Sequence, residues 1–92
     1  MVELQTPKYV WMDGNLRPWS DAVVHIDSET VKRGLSIFEG VKGYWGGDGV
    51  FRFVQLESHY KRLKQSAQLI HLPFDVSFEE FQNAIFELVG AM

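Results

Sequence analysis

The stretch "RGLSIFEGVKGYW", residues 33 to 45, decides the fold of this chain. Apolar and polar residues nearly alternate along it, which is the pattern of a strand with one wet face. We predict a strand over roughly 35 to 45, a hairpin loop at "GGDG" (46 to 49) and a returning strand at "VFRF" (50 to 53). The middle of the chain is therefore predicted to form an antiparallel hairpin.

The first third of the chain carries further strand and turn signals. "KYVWMDGNLRPW", residues 8 to 19, predicts a hairpin that turns at Asp13-Gly14-Asn15, because these residue types tolerate positive φ. "AVVHI", residues 22 to 26, predicts a further short strand. "DSETVKRG", residues 27 to 34, predicts a turn and a single helical turn with Ser28 as the N-cap.

Two helices are predicted in the last part of the chain. "QLESHYKRLKQSAQLI" (55 to 70) carries an apolar stripe and is closed by Pro73, and "DVSFEEFQNAIFELV" (75 to 89) carries another. The two stripes are Leu56, Tyr60, Leu63, Ala67 and Ile70 in the first helix and Phe78, Phe81, Ile85 and Leu88 in the second. Ser77 and Glu80 form a capping-box pattern, and Gly90 is a candidate C-cap.

Strands first and helices after them predict the α+β class, with a small antiparallel sheet packed with two helices in one domain over residues 1–92. The net charge of -3 without a basic patch argues against a nucleic-acid partner. The sequence has no cysteine, no signal-peptide pattern and no apolar run near the ~18 residues of a membrane span. We therefore expect no membrane partner and a cytoplasmic location.

The predicted strand raises the question of a site. One of its faces would carry Phe38, a gap at Gly40, Lys42 and Tyr44, beginning at Ser36. Such a face suits a wall for a small anionic ligand, because the gap gives room, the lysine gives charge and the rings give apolar contact. The alternative is an edge strand with a half-solvated face, on which Lys42 is a solubility charge.

The first predicted helix offers a second candidate. His59 and Arg62 are three residues apart and so lie near each other on one face. Arg62 borders the apolar stripe, where a guanidinium suits a phosphate or a carboxylate. The alternative is an ordinary amphipathic helix with a snorkelling arginine and a hydrogen-bonded histidine. Glu39 and Glu57 are not a convincing acid/base pair, because Glu39 would face away from the proposed wall. The three histidines show no metal-ligand spacing, and "GGDG" lacks the ending of a phosphate loop.

Taken together, these motifs resemble the N-terminal domain of fold-type IV pyridoxal-phosphate enzymes, the class IV aminotransferases. The ordered features are the opening "DG" hairpin, "DA" before a strand, "RG" followed by "FEG", then "FR", and finally "H-x-x-RL-x-x-SA", over about residues 9 to 72. "SIFEGVKGYW" makes branched-chain amino acid aminotransferase the most similar branch, while D-amino acid aminotransferase and 4-amino-4-deoxychorismate lyase share much of the pattern.

The resemblance implies a role for several residues. Arg62 matches the position that binds the phosphate of pyridoxal 5'-phosphate, and Phe38 matches an aromatic residue of the substrate side-chain pocket. Gly40, Lys42 and Tyr44 would follow on the substrate side. Arg33 stands where branched-chain enzymes often carry a tyrosine, which suggests a different way of holding a substrate carboxylate.

The resemblance also implies what this sequence lacks. In the family the lysine that binds the cofactor covalently lies in a C-terminal domain, and none of Lys8, Lys32, Lys42, Lys61 and Lys64 matches it. We therefore expect a fragment that is inactive alone, with no catalytic residue of its own, whose parent uses amino acid and 2-oxo acid substrates and forms a homodimer. The rival hypotheses are a pyridoxal-phosphate lyase of the same fold, a D-amino acid aminotransferase and a non-catalytic binding or interaction domain.

Overall fold

A computed structural model describes residues 6–92. In chain order its elements are strands β1 (Tyr9–Met12) and β2 (Asn15–Pro18), a 3₁₀ turn (Trp19–Asp21), helix α1 (Glu29–Arg33), strands β3 (Gly43–Trp45) and β4 (Phe51–Phe53), and helices α2 (Leu56–Leu69) and α3 (Phe78–Ala91). The α+β class is confirmed. The described part of the chain divides into two compact units, one of residues 6–35 and 79–92 and the other of residues 36–78.

The first hairpin forms as its turn residues predict. β1 and β2 pair antiparallel, with Met12 opposite Asn15. Asp13 and Gly14 have φ values of 54° and 81°, so both central residues adopt the positive φ that a tight two-residue hairpin turn requires. Asn15 supports the turn by donating its side-chain Nδ2–H to the Asp13 carbonyl at 3.3 Å.

The predicted strand at 22 to 26 is wrong, because this segment is irregular and exposed. Its backbone groups bond locally, as when Val23 N–H donates to the Asp21 carbonyl at 2.8 Å and Ser28 N–H donates to the His25 carbonyl at 3.0 Å. Strand-forming residue types are not sufficient here, because a strand also needs a partner for its ladder.

The predicted single helical turn is present as α1. Ser28 Oγ accepts a hydrogen bond from Val31 N–H at 3.3 Å, which confirms Ser28 as the N-cap. Gly34 ends the helix in the left-handed conformation, with φ of 65°.

The strand predicted over 35 to 45 is formed only at Gly43–Trp45, and the preceding residues 34–42 are irregular. The predicted single sheet is therefore corrected to two separate two-stranded sheets. In the second sheet Trp45 lies opposite Phe51. The two rings meet edge to face, with their centroids 5.3 Å apart.

The two long helices form close to their predicted bounds. α2 buries Leu56 and Ala67, which are the buried hydrophobic residues of the part of the chain described. It ends before Pro73, because His71 adopts a φ of 57° and Leu72 N–H turns back to the Ala67 carbonyl at 2.9 Å. α3 runs through Gly90, so the prediction of Gly90 as a C-cap is wrong. The predicted stripe of α3 is half-buried rather than buried.

The loop between α2 and α3 is anchored within the second unit. Tyr60 donates its hydroxyl to the Val76 carbonyl at 2.6 Å. The centroid of the Tyr60 ring also lies 6.0 Å from that of the Phe74 ring and 5.5 Å from that of the Phe78 ring. Throughout residues 6–92, every helix is too short or too polar to cross a membrane.

Candidate functional site

The second unit contains a three-residue cluster of Glu39, His59 and Arg62. Arg62 Nε donates to Glu39 Oε2 at 2.7 Å, and Arg62 Nη2 donates to Glu39 Oε1 at 2.7 Å. His59 Nδ1 lies 2.7 Å from the same Oε1. The arginine and the carboxylate therefore form a bidentate pair, the strongest form of charge-assisted hydrogen bonding between side chains.

Two segments of the chain supply this cluster. α2 presents His59 and Arg62 one helical turn apart, so both reach the same carboxylate, as their spacing predicts. Glu39 comes from the irregular residues 34–42 that precede β3. Because no strand forms there, the side chain of Glu39 is free of the alternation that a strand would impose.

The carboxylate is the buried centre of the cluster. The Glu39 side chain is 9% exposed and that of His59 19%, whereas that of Arg62 is 66% exposed. The hydrogen bonds from Arg62, and next those from His59, lower the pKa of Glu39 to about 2. The same carboxylate raises the pKa of Arg62.

The ionisation of Glu39 also fixes the tautomer of His59. An ionised carboxylate can only accept hydrogen bonds, so the imidazole must carry its proton on Nδ1, the nitrogen that faces Glu39. The Glu39 carboxylate is thus the one acceptor group of the cluster, and His59 and Arg62 are its two donors.

The exposed end of Arg62 fits a phosphate group. Two of its nitrogens are held by Glu39, and Nη1 has no partner among the residues that the structure describes. A guanidinium is always protonated at physiological pH and presents N–H donors that match phosphate oxygens. The residues present therefore fit the phosphate of a cofactor such as pyridoxal phosphate. They offer no comparable metal site, since residues 6–92 contain no group of three or more metal-binding side chains.

The predicted substrate-side residues lie in the same unit and are open to solvent. Phe38 is 89% exposed and Tyr44 60%. Lys42 is also exposed, and a Cβ at Gly40 would meet no atom within 4 Å. Because residues 34–42 form no strand, the prediction that a single strand face aligns these side chains is wrong. Their assignment to a substrate site stays a prediction that rests on the resemblance.

Arg33 lies in the other unit, at the end of α1. Its Nε is 3.3 Å from a carboxylate oxygen of Glu29 one turn earlier, and its side chain is 72% exposed. This pair is a solvated surface interaction of the i,i+4 type. The role of Arg33 in holding a substrate carboxylate stays a prediction.

Glu39 is the residue that reasoning from the sequence missed. Strand alternation predicts that it lies on the face away from the candidate wall, and its pairing with Glu57 as acid and base is not convincing. The available signal was charge, since "FEG" contributes a lone acid and "H-x-x-R" contributes two basic groups at helical spacing. That signal does not by itself bring together residues that are 23 positions apart.

Comparison with known proteins gives a consistent set of relatives, although no protein-family model matches the chain. The chain is 33% identical over 81 residues to the branched-chain-amino-acid aminotransferases of Salmonella typhimurium and Escherichia coli K12, covering 88% of this chain and 26% of those proteins. It is 35% identical over 75 residues to the enzyme of that name from Pseudomonas aeruginosa, covering 82% of this chain and 24% of that protein. The chain thus spans about a quarter of the length of these relatives.

A solved structure shows the same relationship at the level of the fold. The branched-chain amino acid aminotransferase from Thermobaculum terrenum, crystallised in its PLP-bound holo-form, matches with a TM-score of 0.81 and 36% identity. The match covers 96% of this chain and 29% of that protein. In sequence and in fold this chain is therefore related to the N-terminal part of the branched-chain aminotransferases, and its resemblance to the class IV aminotransferases is confirmed.

Proposed function

We propose that this chain is the N-terminal part of a pyridoxal-phosphate-dependent aminotransferase that moves an amino group between a branched-chain amino acid and a 2-oxo acid. The observation that carries the proposal is the geometry of Arg62. By the resemblance, Arg62 matches the position that binds the cofactor phosphate in the family, and in the structure it presents a held guanidinium with one edge open to solvent. The relationship to branched-chain aminotransferases supports the substrate class.

We assign one of the chain's residues to the cofactor and several others to the substrate. The cofactor, when bound, supplies an electron sink for the bonds at the amino acid's Cα. Arg62 binds its phosphate and so fixes one end of the ring. Once a further domain covers them, Phe38 and Tyr44, which are exposed in this chain, would exclude water and favour an apolar side chain, and Gly40 would leave room for it.

We assign a separate role to two further charged residues. Lys42 is exposed in the same unit as Arg62 and is suited to attract an anionic substrate. Arg33 supplies a guanidinium, the side chain best matched to a carboxylate, where the family often has a tyrosine. We expect these two residues to affect the selection of the substrate rather than the binding of the cofactor.

The catalytic lysine of the family has no counterpart in this sequence, so we expect the 92-residue chain to show no transaminase turnover alone. We assign that lysine to a further domain of the full-length protein. Detectable turnover by the purified 92-residue chain would contradict this assignment.

The expected assembly is a homodimer in which apolar surface is covered. Val23, Val24 and Ile26 expose 71%, 61% and 77% of their surfaces along one short segment of the first unit. Exposed apolar surface of this kind favours association. A further domain of the same protein, or a second copy of the chain, would cover it.

The test is the visible spectrum of the full-length gene product with pyridoxal phosphate, recorded before and after L-leucine is added. A protein-bound cofactor band that is lost on addition of leucine supports the proposal. A band that ignores leucine redirects the search to D-amino acids and 4-amino-4-deoxychorismate, and no band at all contradicts the enzyme. In the matched pair Arg62→Gln and Lys61→Gln, only the first should weaken cofactor binding, because Lys61 pairs with Glu57 on the solvated side of α2.

A further inference from the structure

We propose that Glu39 is a positioning residue that holds Arg62 in the orientation in which its free edge meets a phosphate group. This inference rests on the proposed function, because it concerns the residue assigned to the cofactor phosphate. It adds a residue from outside α2 to the phosphate site. It also predicts that a negative charge next to Arg62 strengthens anion binding, which is the opposite of what charge alone would do.

The first support is the geometry of the pair. Glu39 accepts from both Nε and Nη2 of Arg62, each at 2.7 Å. Two parallel hydrogen bonds define the plane of the guanidinium as well as its direction. Nη1 is then the nitrogen that points away from the carboxylate, so the pair selects which edge of Arg62 is presented to solvent.

The second support is that Glu39 is itself fixed. Its side chain is 9% exposed, and His59 Nδ1 contacts Oε1 from the preceding turn of α2. His59, on the same helix as Arg62, therefore holds the carboxylate independently of Arg62. A flexible, 66% exposed arginine gains a defined orientation from a buried and doubly bonded partner.

Charge and position predict opposite results for the same substitution. A carboxylate 2.7 Å from a guanidinium offsets its positive charge, so on charge alone Glu39→Gln should tighten the binding of an anion. If Glu39 positions Arg62, the loss of one acceptor releases the guanidinium, and anion binding should weaken. The sign of the change therefore decides between the two explanations.

The experiment measures the binding of inorganic phosphate to the 92-residue protein by calorimetry. The variants are Glu39→Gln, Glu39→Asp and Arg62→Gln, with Glu57→Gln as the matched control for loss of a carboxylate on α2. Glu39→Asp keeps the charge but is one methylene shorter, so it cannot reach both partners without a shift. Circular dichroism checks that each variant is folded, and the Arg62 Nε–Hε resonance reports on the order of the side chain.

We expect Glu39→Gln and Glu39→Asp to weaken phosphate binding on the order of tenfold, as the loss of an orienting partner does at metal sites. We expect Glu57→Gln to leave it unchanged. The Arg62 Nε–Hε resonance should be narrow and slowly exchanging in the natural sequence and broadened in both Glu39 variants.

Two other outcomes have distinct meanings. Tighter or unchanged binding in folded Glu39→Gln, while Arg62→Gln loses binding, would overturn the positioning role and keep the phosphate site. Equal binding by Arg62→Gln and the natural sequence would overturn the phosphate site itself and, with it, this inference.

Discussion

Glu39 and Arg62 are 23 positions apart in the chain and are joined by two hydrogen bonds of 2.7 Å. This pair ties the irregular segment before β3 to the middle of α2. It is also the electrostatic centre of the candidate cofactor site, since His59 meets the same carboxylate. Stability and function are therefore expected to depend on the same contact.

The pKa of Glu39 gives the contact a defined pH dependence. The folded protein lowers this pKa from the ordinary 4.5 to about 2. Between these values the unfolded chain binds the proton more readily than the folded one, so the stabilisation is present above about pH 4.5 and is lost as the pH falls towards 2. Urea unfolding from pH 6 to pH 2 should show a free energy of unfolding that declines less in Glu39→Gln than in the natural sequence.

A second carboxylate serves as the comparison for that measurement. Asp48 also has a lowered pKa, because Arg52 donates to it and Val50 N–H donates next. The Asp48→Asn variant should remove a different part of the same decline, and the two effects should add because the sites share no partner. Identical pH profiles for Glu39→Gln and the natural sequence would contradict the assignment.

The first hairpin depends on the backbone of Gly14. Its φ is +81°, while a Cβ at this position would meet no atom within 4 Å. The cost of Gly14→Ala is therefore conformational and not steric, and we expect a loss of about 1–2 kcal/mol in the free energy of unfolding. Gly47→Ala is the control, since Gly47 has the same open space without a positive φ. Equal stability of the two variants in urea would show that the turn does not limit the hairpin.

The second hairpin depends on the absence of a side chain at Gly43. A Cβ there would overlap the ring of Phe51 on the facing strand. Gly43→Ala should lower the free energy of unfolding by about 1–3 kcal/mol, which is the usual cost of overpacking. Adding Phe51→Leu should recover part of that loss, because the smaller side chain vacates the space. A double-mutant cycle with no coupling energy would rule out this explanation.

The hydroxyl of Tyr60 is expected to hold the loop between α2 and α3. Its hydrogen bond to the Val76 carbonyl is 2.6 Å long. Tyr60→Phe removes only this donor and should cost about 0.5–1.5 kcal/mol. Tyr44→Phe is the matched control, since Tyr44 is 60% exposed, and it should leave the thermal midpoint unchanged. A Tyr60→Phe variant as stable as the natural sequence would mean that water replaces the bond at no cost.

Self-association is expected from the exposed segment 22–26. Size-exclusion chromatography with light scattering should show a dimer or larger species whose share rises with concentration. Val24→Lys should shift the equilibrium towards monomer, because a charge resists burial in an apolar contact. A compact monomer at every concentration would contradict the expected dimer.

Local chemistry explains the elements that the sequence predicted well. The turn at Asp13-Gly14, the cap at Ser28 and the apolar stripe of α2 each depend on residues within one turn or one hairpin. The interactions that stabilise these elements lie within a few neighbouring positions, so a pattern of residue types is enough to identify them. The shared face of His59 and Arg62 belongs to the same group, because helical spacing alone sets it.

The sequence predicted poorly those strands whose formation depends on a pairing partner distant in the chain. Segment 22–26 has strand-forming residues but no ladder partner in the structure, and residues 34–42 alternate like a strand yet stay irregular. Alternation indicates which face a side chain would take if the strand formed. It does not indicate whether a second strand is available for pairing.

The sequence alone thus determined the α+β class, the two hairpin turns, the two long helices and the family resemblance. Only the tertiary structure decided that Glu39 turns towards α2, that its carboxylate holds Arg62, and that Nη1 of that arginine has no partner within residues 6–92. The physical reason is that side-chain orientation across 23 positions is set by the burial and pairing of charge, and these exist only once the two segments have met.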